Sequence, residues 1–582
     1  MTGAVHSLSF SFDGTYIVGA NGPDKDAAPG LEISCVETGE HMLKVETKNV
    51  INVAAWHPLR YWLAYAGDPG GLHVIGVGSS PNERRCISRQ DLGYYRTLVV
   101  GAIYSSSYSP DSPLQQCTEL NKRDPSPFVP ALKHCIFKHP ILGAAIVGAD
   151  TEAPEFVTPL SLDLRNHIEI WDRESFRCAE KSEADFITSA LTQVSDASFP
   201  SGDDMLPPWK IVVAPLATHG EKGERTRSLV LFAYYHSHGD GKSGLAFHTT
   251  FLEGLNIQKE TPDASESDDY FICDPYNKSL LPPIEKAGNL SVSWTYLLSP
   301  LLGAYLPTSI STALGFRASA IPQSDCWRGQ KVSFDPSNFR TGVQMLMLSL
   351  EHTDEVLRQC RAKGVTFTGL LHQLIVRVLS DSLPFAAFSS QTAVDMRRQL
   401  KGTITDDDMA LCPTAYYEVF PCASPDDWIG WTTSSTAAMW DHARKTSEGL
   451  AECAGRLRDQ PIGLLPYLNK IRPWLSGQVG KEREASYEVS NLVIFNPAIG
   501  TEQAQDPSQM IVVEQVVFAQ PANVTGACLN FNVVSTKDGP MVLTVTWQRG
   551  ILNLDDGMDE DEFVAGLCGH LGTHLRELAS AA

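Results

Sequence analysis

The sequence lacks the cysteine pairs, the long apolar runs and the signal peptide that would assign it to several familiar classes. Its 13 cysteines are scattered, and no two have the CxxC spacing of zinc and redox sites. The longest stretch without charge, residues 287–316, contains Pro300 and Pro307 among several Ser and Thr, so it is too broken for a spanning helix. MTGAVHSLSFSFDG at the N-terminus has no basic start followed by an apolar core. We therefore expect no membrane-spanning segment, reduced thiols and a cytoplasmic location.

The chain also has too little positive charge for a nucleic-acid partner. It contains 46 Lys and Arg against 68 Asp and Glu, and its formal net charge is −22. Binding to a phosphate backbone needs clustered positive charge, and docking on an anionic membrane needs the same. The length of 582 residues, 43% of them hydrophobic, is ordinary for a globular protein of two to four domains. We therefore expect no nucleic-acid partner.

Residues 1–80 contain a pattern that occurs twice. FSFDGTYIVGA (residues 10–20) and WHPLRYWLAYA (residues 56–66) begin 46 residues apart, close to the period of about 40–45 residues in propeller blades. In both, an aromatic residue precedes a polar turn and a hydrophobic strand. The pattern resembles WD repeats, and WHPLRYWLAYAGDPGGLHVIG is similar to the WD-repeat subunit of the fungal THO mRNA-export complex.

Two blades cannot close a propeller, because closure takes about four to eight blades and a smaller number leaves unpaired strand edges. We expect residues 1–80 to form an incomplete all-β, WD-repeat-like segment without a function of its own, such as a fused gene fragment. A small interaction module is the alternative.

A polar boundary, SSPNERR (residues 79–85), separates this segment from a longer part in which helix and strand patterns alternate. WKIVVAP (209–215) and SLVLFAYY (228–235) are typical of buried strands. TDEVLRQCRAKG predicts a helix with Thr353 as a possible cap and Gly364 as its stop. The order of the patterns predicts a layered α/β enzyme with non-sequential strands rather than a Rossmann winding.

The stretch LFAYYHSHGDGKSGLAFH (residues 231–248) allows three interpretations. GDGKS suggests a phosphate-binding loop, but G-x-x-x-x-G-K-[ST] requires a glycine where His236 stands. His236 and His238 could begin a metal site, yet no third or fourth ligand follows locally. The third interpretation is His-x-x-x-Asp-Gly at the end of a buried strand, which residues 236–241 match at each fixed position.

That pattern resembles the signature of the CoA-dependent acyltransferases, which include chloramphenicol acetyltransferase, plant BAHD enzymes, peptide-synthetase condensation domains and fungal alcohol acetyltransferases. Tyr235 stands where many members have a first histidine, and the plant DFGWG element is absent. Five segments in the order of the fungal alcohol acetyltransferases extend the resemblance over most of residues 85–582: CISRQDLGYYRTLVV, ALKHCIFKHPIL, VTFTGLLHQLI, VDMRRQL and YEVSNLVIF.

The resemblance implies a chloramphenicol-acetyltransferase-like pseudo-dimer of two α/β lobes, residues 85–325 and 326–582, with a tunnel between them. It implies acetyl-CoA as the cosubstrate, entering from one face, and no metal. It also implies a small-molecule acceptor, an alcohol or a secondary-metabolite hydroxyl, entering from the other face. We expect an O-acyltransferase that works as a monomer.

The same resemblance assigns roles around the motif. His236 is the general base, because an imidazole that titrates near pH 6.5 can accept the proton of an alcohol; the alternative is a hydrogen-bonded structural histidine. Asp240 turns away from the cavity and pairs with an arginine, Arg397 first or Arg398 second, although either could be a solvated surface charge. Gly241 permits the tight turn that follows Asp240.

Two further predictions concern nearby polar residues. His238 falls in the turn after the strand, where we expect no defined direction for its side chain. The oxyanion of the tetrahedral intermediate needs a hydrogen-bond donor. The candidates are Ser490 and Asn491 in VSNL, or Asn530 and Asn532 in LNFN, and ordinary strand-end polar residues are the alternative.

Three other functions remain open. One is a condensation-type enzyme acting on carrier-bound substrates, although the sequence contains no recognisable adenylation or carrier segment. Another is a non-enzymatic WD-repeat scaffold related to mRNA export, based on residues 1–80. The last is a degenerate acyltransferase fold used for binding alone, against which the intact HxxxDG pattern argues.

Overall fold

The computed structural model divides the chain into two compact units, Met1–Ser79 and Ser80–Ala582, which are described separately. It describes residues 5–11, 14–21, 30–46, 51–56, 63–67, 72–75, 79–107, 112–116, 124–159, 161–171, 182–199, 206–216, 225–257, 268–273, 279–305, 326–422, 433–468, 470–501, 510–555 and 557–580.

The described residues of the first unit form seven strands in two antiparallel sheets. The strands are β1 (Val5–Phe10), β2 (Tyr16–Asn21), β3 (Gly30–Cys35), β4 (His41–Glu46), β5 (Ile51–Trp56), β6 (Leu63–Gly67) and β7 (Leu72–Ile75). Strands β1–β4 form one sheet in chain order and β5–β7 the other. Val18, Leu31, Ile51 and Leu63 are buried in a shared core. Parts of the two repeated sequence segments, residues 12–13 and 57–62, lie outside the described residues.

The second unit alternates helices and strands. Its helices are α1 (Pro81–Asp91), α2 (Pro113–Gln116), α3 (Val129–Lys138), α4 (Glu183–Ser195), α5 (Gly241–Asn256), α6 (Ile284–Ala287), α7 (Trp294–Tyr305), α8 (Leu350–Lys363), α9 (Phe367–Ser382), α10 (Thr433–Ala454), α11 (Ile471–Ser476) and α12 (Glu560–Ser580). Its strands are β8 (Thr97–Ser107), β9 (Ala145–Val147), β10 (Glu155–Val157), β11 (Leu162–Asp163), β12 (Ile168–Ile170), β13 (Trp209–Pro215), β14 (Arg225–Tyr235), β15 (Ile272–Cys273), β16 (Thr341–Leu348), β17 (Ala387–Asp395), β18 (Pro413–Pro421), β19 (Tyr487–Phe495), β20 (Val512–Ala519), β21 (Leu529–Thr536) and β22 (Met541–Gln548).

Two large mixed sheets organise this unit. The first has the order β12-β13-β14-β8-β20 and the second the order β16-β22-β21-β19-β17-β18. Nearly every residue of β8 and β14 is buried, because helices cover both faces of the first sheet: α3 and α5 pack on one face and α4 on the other. This burial explains why these strands are continuously apolar rather than alternating. Residues of α9 and α12 join the core beside the second sheet.

The first sheet includes a strand from beyond residue 325, where the sequence predicted the boundary between the two lobes. Strand β20 lies in the predicted C-terminal lobe of residues 326–582, yet it pairs antiparallel with β8, with Ala519 opposite Val99. It therefore completes the edge of the first sheet and buries Val517 and Phe518 there. Hydrophobic patterning predicts that a strand is buried but does not say which sheet it joins.

The start of α8 differs from the sequence prediction. Ser349, not Thr353, is the N-cap, and its hydroxyl accepts a hydrogen bond from the backbone of His352. Thr353 is buried one turn further along. Gly364 ends the helix in the left-handed conformation, with φ of 67°, which a residue without a Cβ adopts at little cost.

Candidate functional site

The HSHGDG segment forms a strand–turn–helix unit. Strand β14 ends at Tyr235, a 3₁₀ turn covers His236–His238, and α5 begins at Gly241. Asp240 is the N-cap of α5, because its Oδ1 accepts a hydrogen bond of 3.0 Å from the Ser243 N–H. A buried strand on one side and a capped helix on the other therefore fix the turn that carries His236.

This turn opens into a cavity of about 980 Å³, at the upper end of the range for ligand pockets. Side chains of both sheets line it. His236 comes from the end of β14, Gln391 from β17, Glu488 from β19, and Phe518 from β20. The cavity is therefore lined by side chains from both large sheets.

His236 is half-buried at the wall of this cavity. Its Nδ1 lies 2.9 Å from the carbonyl oxygen of Gly239, which can only accept, so Nδ1 carries the proton and Nε2 is the unprotonated nitrogen. Burial lowers the pKa of His236 to about 4; the positive charges of Arg89 and Arg85 act in the same direction, and Asp240 acts against them. The imidazole is therefore neutral near pH 7 and can accept a proton.

Helix α1 holds the backbone of the same turn. The side-chain oxygen of Gln90 accepts a hydrogen bond from the backbone N–H of His236. In the same amide orientation, the side-chain nitrogen of Gln90 donates to Ser237 Oγ at 3.1 Å. The Tyr95 ring, which follows α1, lies 5.6 Å from the His236 ring between centroids. Sequence analysis missed these supports, because α1 is more than 140 residues away from the motif.

His238 has a well-defined position, contrary to the expectation from sequence. Its Nε2 donates a hydrogen bond of 2.7 Å to the carbonyl oxygen of Ala144, and the Phe156 ring packs on it edge to face. Burial lowers the pKa of His238 to about 4. The side chain is 1% exposed and does not line the cavity that His236 faces, so its described contacts are structural.

Asp240 forms a bidentate ion pair with Arg397, and both residues line the cavity. Arg397 Nη1 lies 2.7 Å from Asp240 Oδ2, and Nη2 lies 3.0 Å from Oδ1. The backbone N–H of Cys412 donates to Oδ2 at 3.1 Å. Burial by itself raises the pKa of Asp240, but the Arg397 guanidinium outweighs it and lowers the pKa below its ordinary value. Arg398, the other candidate, is exposed.

The pair joins the two halves of the unit. Asp240 belongs to the first sheet's helix, whereas Arg397 follows β17 of the second sheet. Arg397 also donates to the carbonyl oxygens of Thr405 at 3.1 Å and Ala410 at 3.0 Å. Because these contacts fix the start of α5 against the second sheet, they fix the turn that carries His236.

Gly241 is required for a reason different from the predicted turn. It is the first residue of α5 and is not among the glycines with positive φ. A Cβ at this position would collide with the side chain of Leu492 and would lie 3.2 Å from Phe518 Cζ. Because α5 packs closely against strands β19 and β20, a larger residue here would require the Leu492 side chain to move.

The oxyanion candidates separate into two groups. Ser490 and Asn491 line the cavity, whereas Asn530 and Asn532 do not. Asn491 Nδ2 donates to Thr368 Oγ1 at 3.1 Å. Asn532 is fully buried, and its Nδ2 lies 3.2 Å from a threonine hydroxyl of β22. The asparagine pair of LNFN stabilises the second sheet instead.

A polar chain in the cavity wall escaped the sequence analysis. The Tyr95 hydroxyl donates to Gln520 Oε1 at 2.9 Å, and Gln520 Nε2 donates to Glu488 Oε1 at 3.0 Å. Burial raises the pKa of Glu488 above its ordinary value. The one local signal of this polar chain was a glutamine, Gln520, directly after strand β20. Its hydrogen-bond partners, Tyr95 and Glu488, come from other parts of the chain.

Within the described ranges, no group of three or more His, Cys, Asp or Glu side chains could hold a metal ion. None of the described helices combines the length and the low polarity that crossing a membrane requires.

Comparisons with known proteins define the class. A family model described as alcohol acetyltransferase matches residues 167–407, which include His236, Asp240 and Arg397. The chain is 23% identical over 447 residues to the probable alcohol acetyltransferase FCK4 of Fusarium pseudograminearum, covering 74% of this chain and 84% of the relative. It is 24% identical over 428 residues to the probable alcohol acetyltransferase crmB of Aspergillus fumigatus, covering 72% and 84%.

The fold has a counterpart among solved structures. The TRI3 trichothecene 15-O-acetyltransferase from Fusarium sporotrichioides superposes with a TM-score of 0.58 at 15% identity, covering 89% of this chain and 95% of that chain. This similarity confirms the predicted mixed α/β fold of an acyltransferase. Together with the family match, these similarities identify the protein as an acyltransferase enzyme.

Proposed function

We propose that the protein transfers an acetyl or short acyl group from CoA to the hydroxyl of an alcohol or secondary metabolite, with His236 as the general base. The observation that carries this proposal is the way in which His236 is held at the wall of the cavity. Its Nδ1 is tied to the carbonyl oxygen of Gly239 at 2.9 Å, and Nε2 makes no hydrogen bond to a described residue. The imidazole lines a cavity large enough for two substrates.

The chemistry follows from that arrangement. An alcohol bound beside Nε2 attacks the thioester carbonyl carbon, and its proton passes to Nε2 as the new C–O bond forms. The C–S bond then breaks, and the imidazolium returns the proton to the departing thiolate. The products are an ester and free CoA, and His236 is neutral again. No acyl-enzyme is needed.

The developing oxyanion needs a donor in the same cavity. Ser490 and Asn491 both line it, and one proton of the Asn491 amide is engaged with Thr368. The Ser490 hydroxyl is therefore our first candidate and the remaining Asn491 proton the second. Asp240 and Arg397 line the same cavity, and we assign them a positioning role, since their ion pair fixes the start of α5.

We also propose that the WD-repeat-like segment predicted for residues 1–80 has no catalytic role, since the described residues that line the cavity begin at Arg85. A cytoplasmic location remains a proposal, supported by the eleven free cysteines of the described ranges.

Purified full-length protein with acetyl-CoA and a panel of alcohols tests the proposed reaction. Thiol release is followed with a thiol reagent, and the ester is detected by mass spectrometry. We expect thiol release that depends on an alcohol and matches the amount of ester formed. Thiol release that is independent of every alcohol, without any ester, would contradict alcohol acylation.

A further inference from the structure

Helix α1 presents two arginines to the catalytic cavity. Arg85 and Arg89 are four residues apart, so they lie on the same face of the helix, and both line the cavity. Arg89 is 8% exposed, and its Nε has no hydrogen-bond partner among the described residues. The Nε of Arg85 also lacks one, although its Nη2 donates to Asn82 Oδ1 at 3.2 Å.

The position of Arg89 relative to the base is fixed by an aromatic ring. The Arg89 Cζ lies 4.5 Å from the centroid of the Tyr95 ring, and that ring lies 5.6 Å from the His236 ring. The guanidinium is therefore no farther than about 10 Å from the imidazole. The Tyr95 hydroxyl is held by Gln520 at 2.9 Å, so the ring is a fixed platform for the cation.

The two glutamates of the described wall form their hydrogen bonds with other residues, although the charge of Glu488 favours the charged form of Arg89. Glu484 accepts from the Tyr417 hydroxyl at 2.8 Å, and Glu488 accepts from the Gln520 amide at 3.0 Å. Within the described ranges neither acid lies within ion-pair distance of Arg85 or Arg89. A buried guanidinium without an acceptor is costly unless a ligand or water supplies one.

We propose that Arg85 and Arg89 bind a carboxylate of the acceptor, so that the preferred acceptor is a hydroxy acid whose hydroxyl reaches His236. This inference rests on the proposed acyl transfer and names its substrate class. A guanidinium binds a carboxylate through two parallel hydrogen bonds, and both Arg85 and Arg89 line the cavity. The phosphates of CoA are the other possible source of anionic oxygens, but the long pantetheine arm separates them from the thioester.

Matched acceptors test the inference. The ω-hydroxy acids from 4-hydroxybutanoate to 10-hydroxydecanoate are compared with their methyl esters, which keep the hydroxyl and lose the charge. We expect the best acid to exceed its ester in kcat/KM by about tenfold or more, which is the effect of about 1.4 kcal/mol. Equal values for acid and ester at every chain length would overturn the proposal.

Variants of the full chain assign the preference to these residues. Arg89→Gln is expected to bring the acid-to-ester ratio close to one, and Arg85→Gln to lower it partly. Arg89→Lys keeps the charge and should retain part of the preference. Arg358→Gln, on an exposed face of α8 and paired with Glu355, is the control and should leave the ratio unchanged. A ratio that survives Arg89→Gln, with normal melting temperature, would overturn the assignment.

Two further measurements distinguish a binding site for the CoA phosphates from a failure of the proposed acyl transfer. If Arg89→Gln raises the KM for acetyl-CoA about tenfold while the acid-to-ester ratio stays constant, the anion is a CoA phosphate and the acceptor proposal is wrong. If no acceptor is acylated at all, the proposed function is wrong. Calorimetric titration with hexanoate then tests separately whether Arg85 and Arg89 bind a carboxylate. Binding of hexanoate to wild type that Arg89→Gln weakens at least tenfold supports the subsite; identical titrations would overturn it.

Discussion

At the scale of single residues, the central feature is a histidine kept neutral by its surroundings. The Gly239 carbonyl fixes the proton on Nδ1 of His236, while burial and two arginines oppose a second proton. His238, two residues later, has its Nε2 turned into the protein toward Ala144. The sequence pattern distinguishes the two histidines by their spacing to Asp240, and the structure gives them different surroundings.

The first prediction concerns pH. Because the pKa of His236 in the folded protein is lowered from its ordinary value to about 4, the base stays unprotonated from neutral pH down to that value. We expect kcat/KM for the acceptor to be constant between about pH 8 and pH 5 and to fall only as the pH approaches 4. Circular dichroism at each pH checks that the protein remains folded. A folded enzyme whose kcat/KM falls with an inflection near pH 6.5 would contradict the account.

The second prediction concerns the buried pair of Asp240 and Arg397. Asp240→Asn leaves the guanidinium without its bidentate partner, and losing one member of a buried pair typically costs about 3–5 kcal/mol. Arg397→Gln should cost a similar free energy of unfolding. If the two side chains act on each other, the double variant loses clearly less than both single losses combined. Urea unfolding of the four proteins measures this, and strict additivity would show that the pair is not coupled.

At the scale of elements, the catalytic turn depends on how closely α5 packs on β8. A Cβ at Gly244 would collide with Val100 of the neighbouring strand. By contrast, Gly566 in the middle of α12 has nothing within 4 Å of such a Cβ. Both glycines lie inside helices, where alanine is intrinsically favoured by about 0.5–1 kcal/mol.

The third prediction uses this matched pair. We expect Gly566→Ala to stabilise the protein by about 0.5–1 kcal/mol and to leave turnover unchanged. Gly244→Ala must push α5 away from the sheet, and overpacking of this kind typically costs about 1–3 kcal/mol. It should also lower kcat, because α5 carries the cap that positions His236. Melting curves and thiol release measure both effects. A Gly244→Ala protein as stable and active as wild type would contradict the described packing.

The elements also show what the sequence could predict. Strands such as β13 and β14 and the start of α5 were predictable, because their signals are local: apolar runs, a capping aspartate and a following helix pattern. The partner Arg397 is 157 residues from Asp240 and was named only through a family resemblance. The chain of Tyr95, Gln520 and Glu488 could not be predicted, since it forms where three distant segments meet.

At the scale of the whole molecule, the described residues that line the cavity belong to the second unit. Ser80 caps α1, and its hydroxyl and backbone both bond to Glu83. Helix α1 in turn holds the turn that carries His236. A truncated protein should therefore keep Ser80, whereas a start near residue 82 would remove the cap.

The fourth prediction follows from this arrangement. A protein beginning at Ser79 is expected to keep acyl transfer within about twofold of the full chain, while one beginning at Asn82 loses a helix cap that is typically worth about 1 kcal/mol. Activity per folded protein and melting temperature are the measurements. A soluble, folded protein beginning at Ser79 without activity would show that the first unit takes part in catalysis.

The central claim is that His236 is the base and His238 is not. The most direct measurement is thiol release at saturating acetyl-CoA for His236→Ala and His238→Ala, with melting temperature as the folding control. Removing a general base typically costs about 10²–10⁴ in rate. We expect His236→Ala to lose turnover by that order while still binding acetyl-CoA, and His238→Ala, which loses the contact with Ala144, to be less stable but within about tenfold of wild-type turnover. An inactive, folded His238→Ala beside an active His236→Ala would contradict the assignment and the proposed acyl transfer with it.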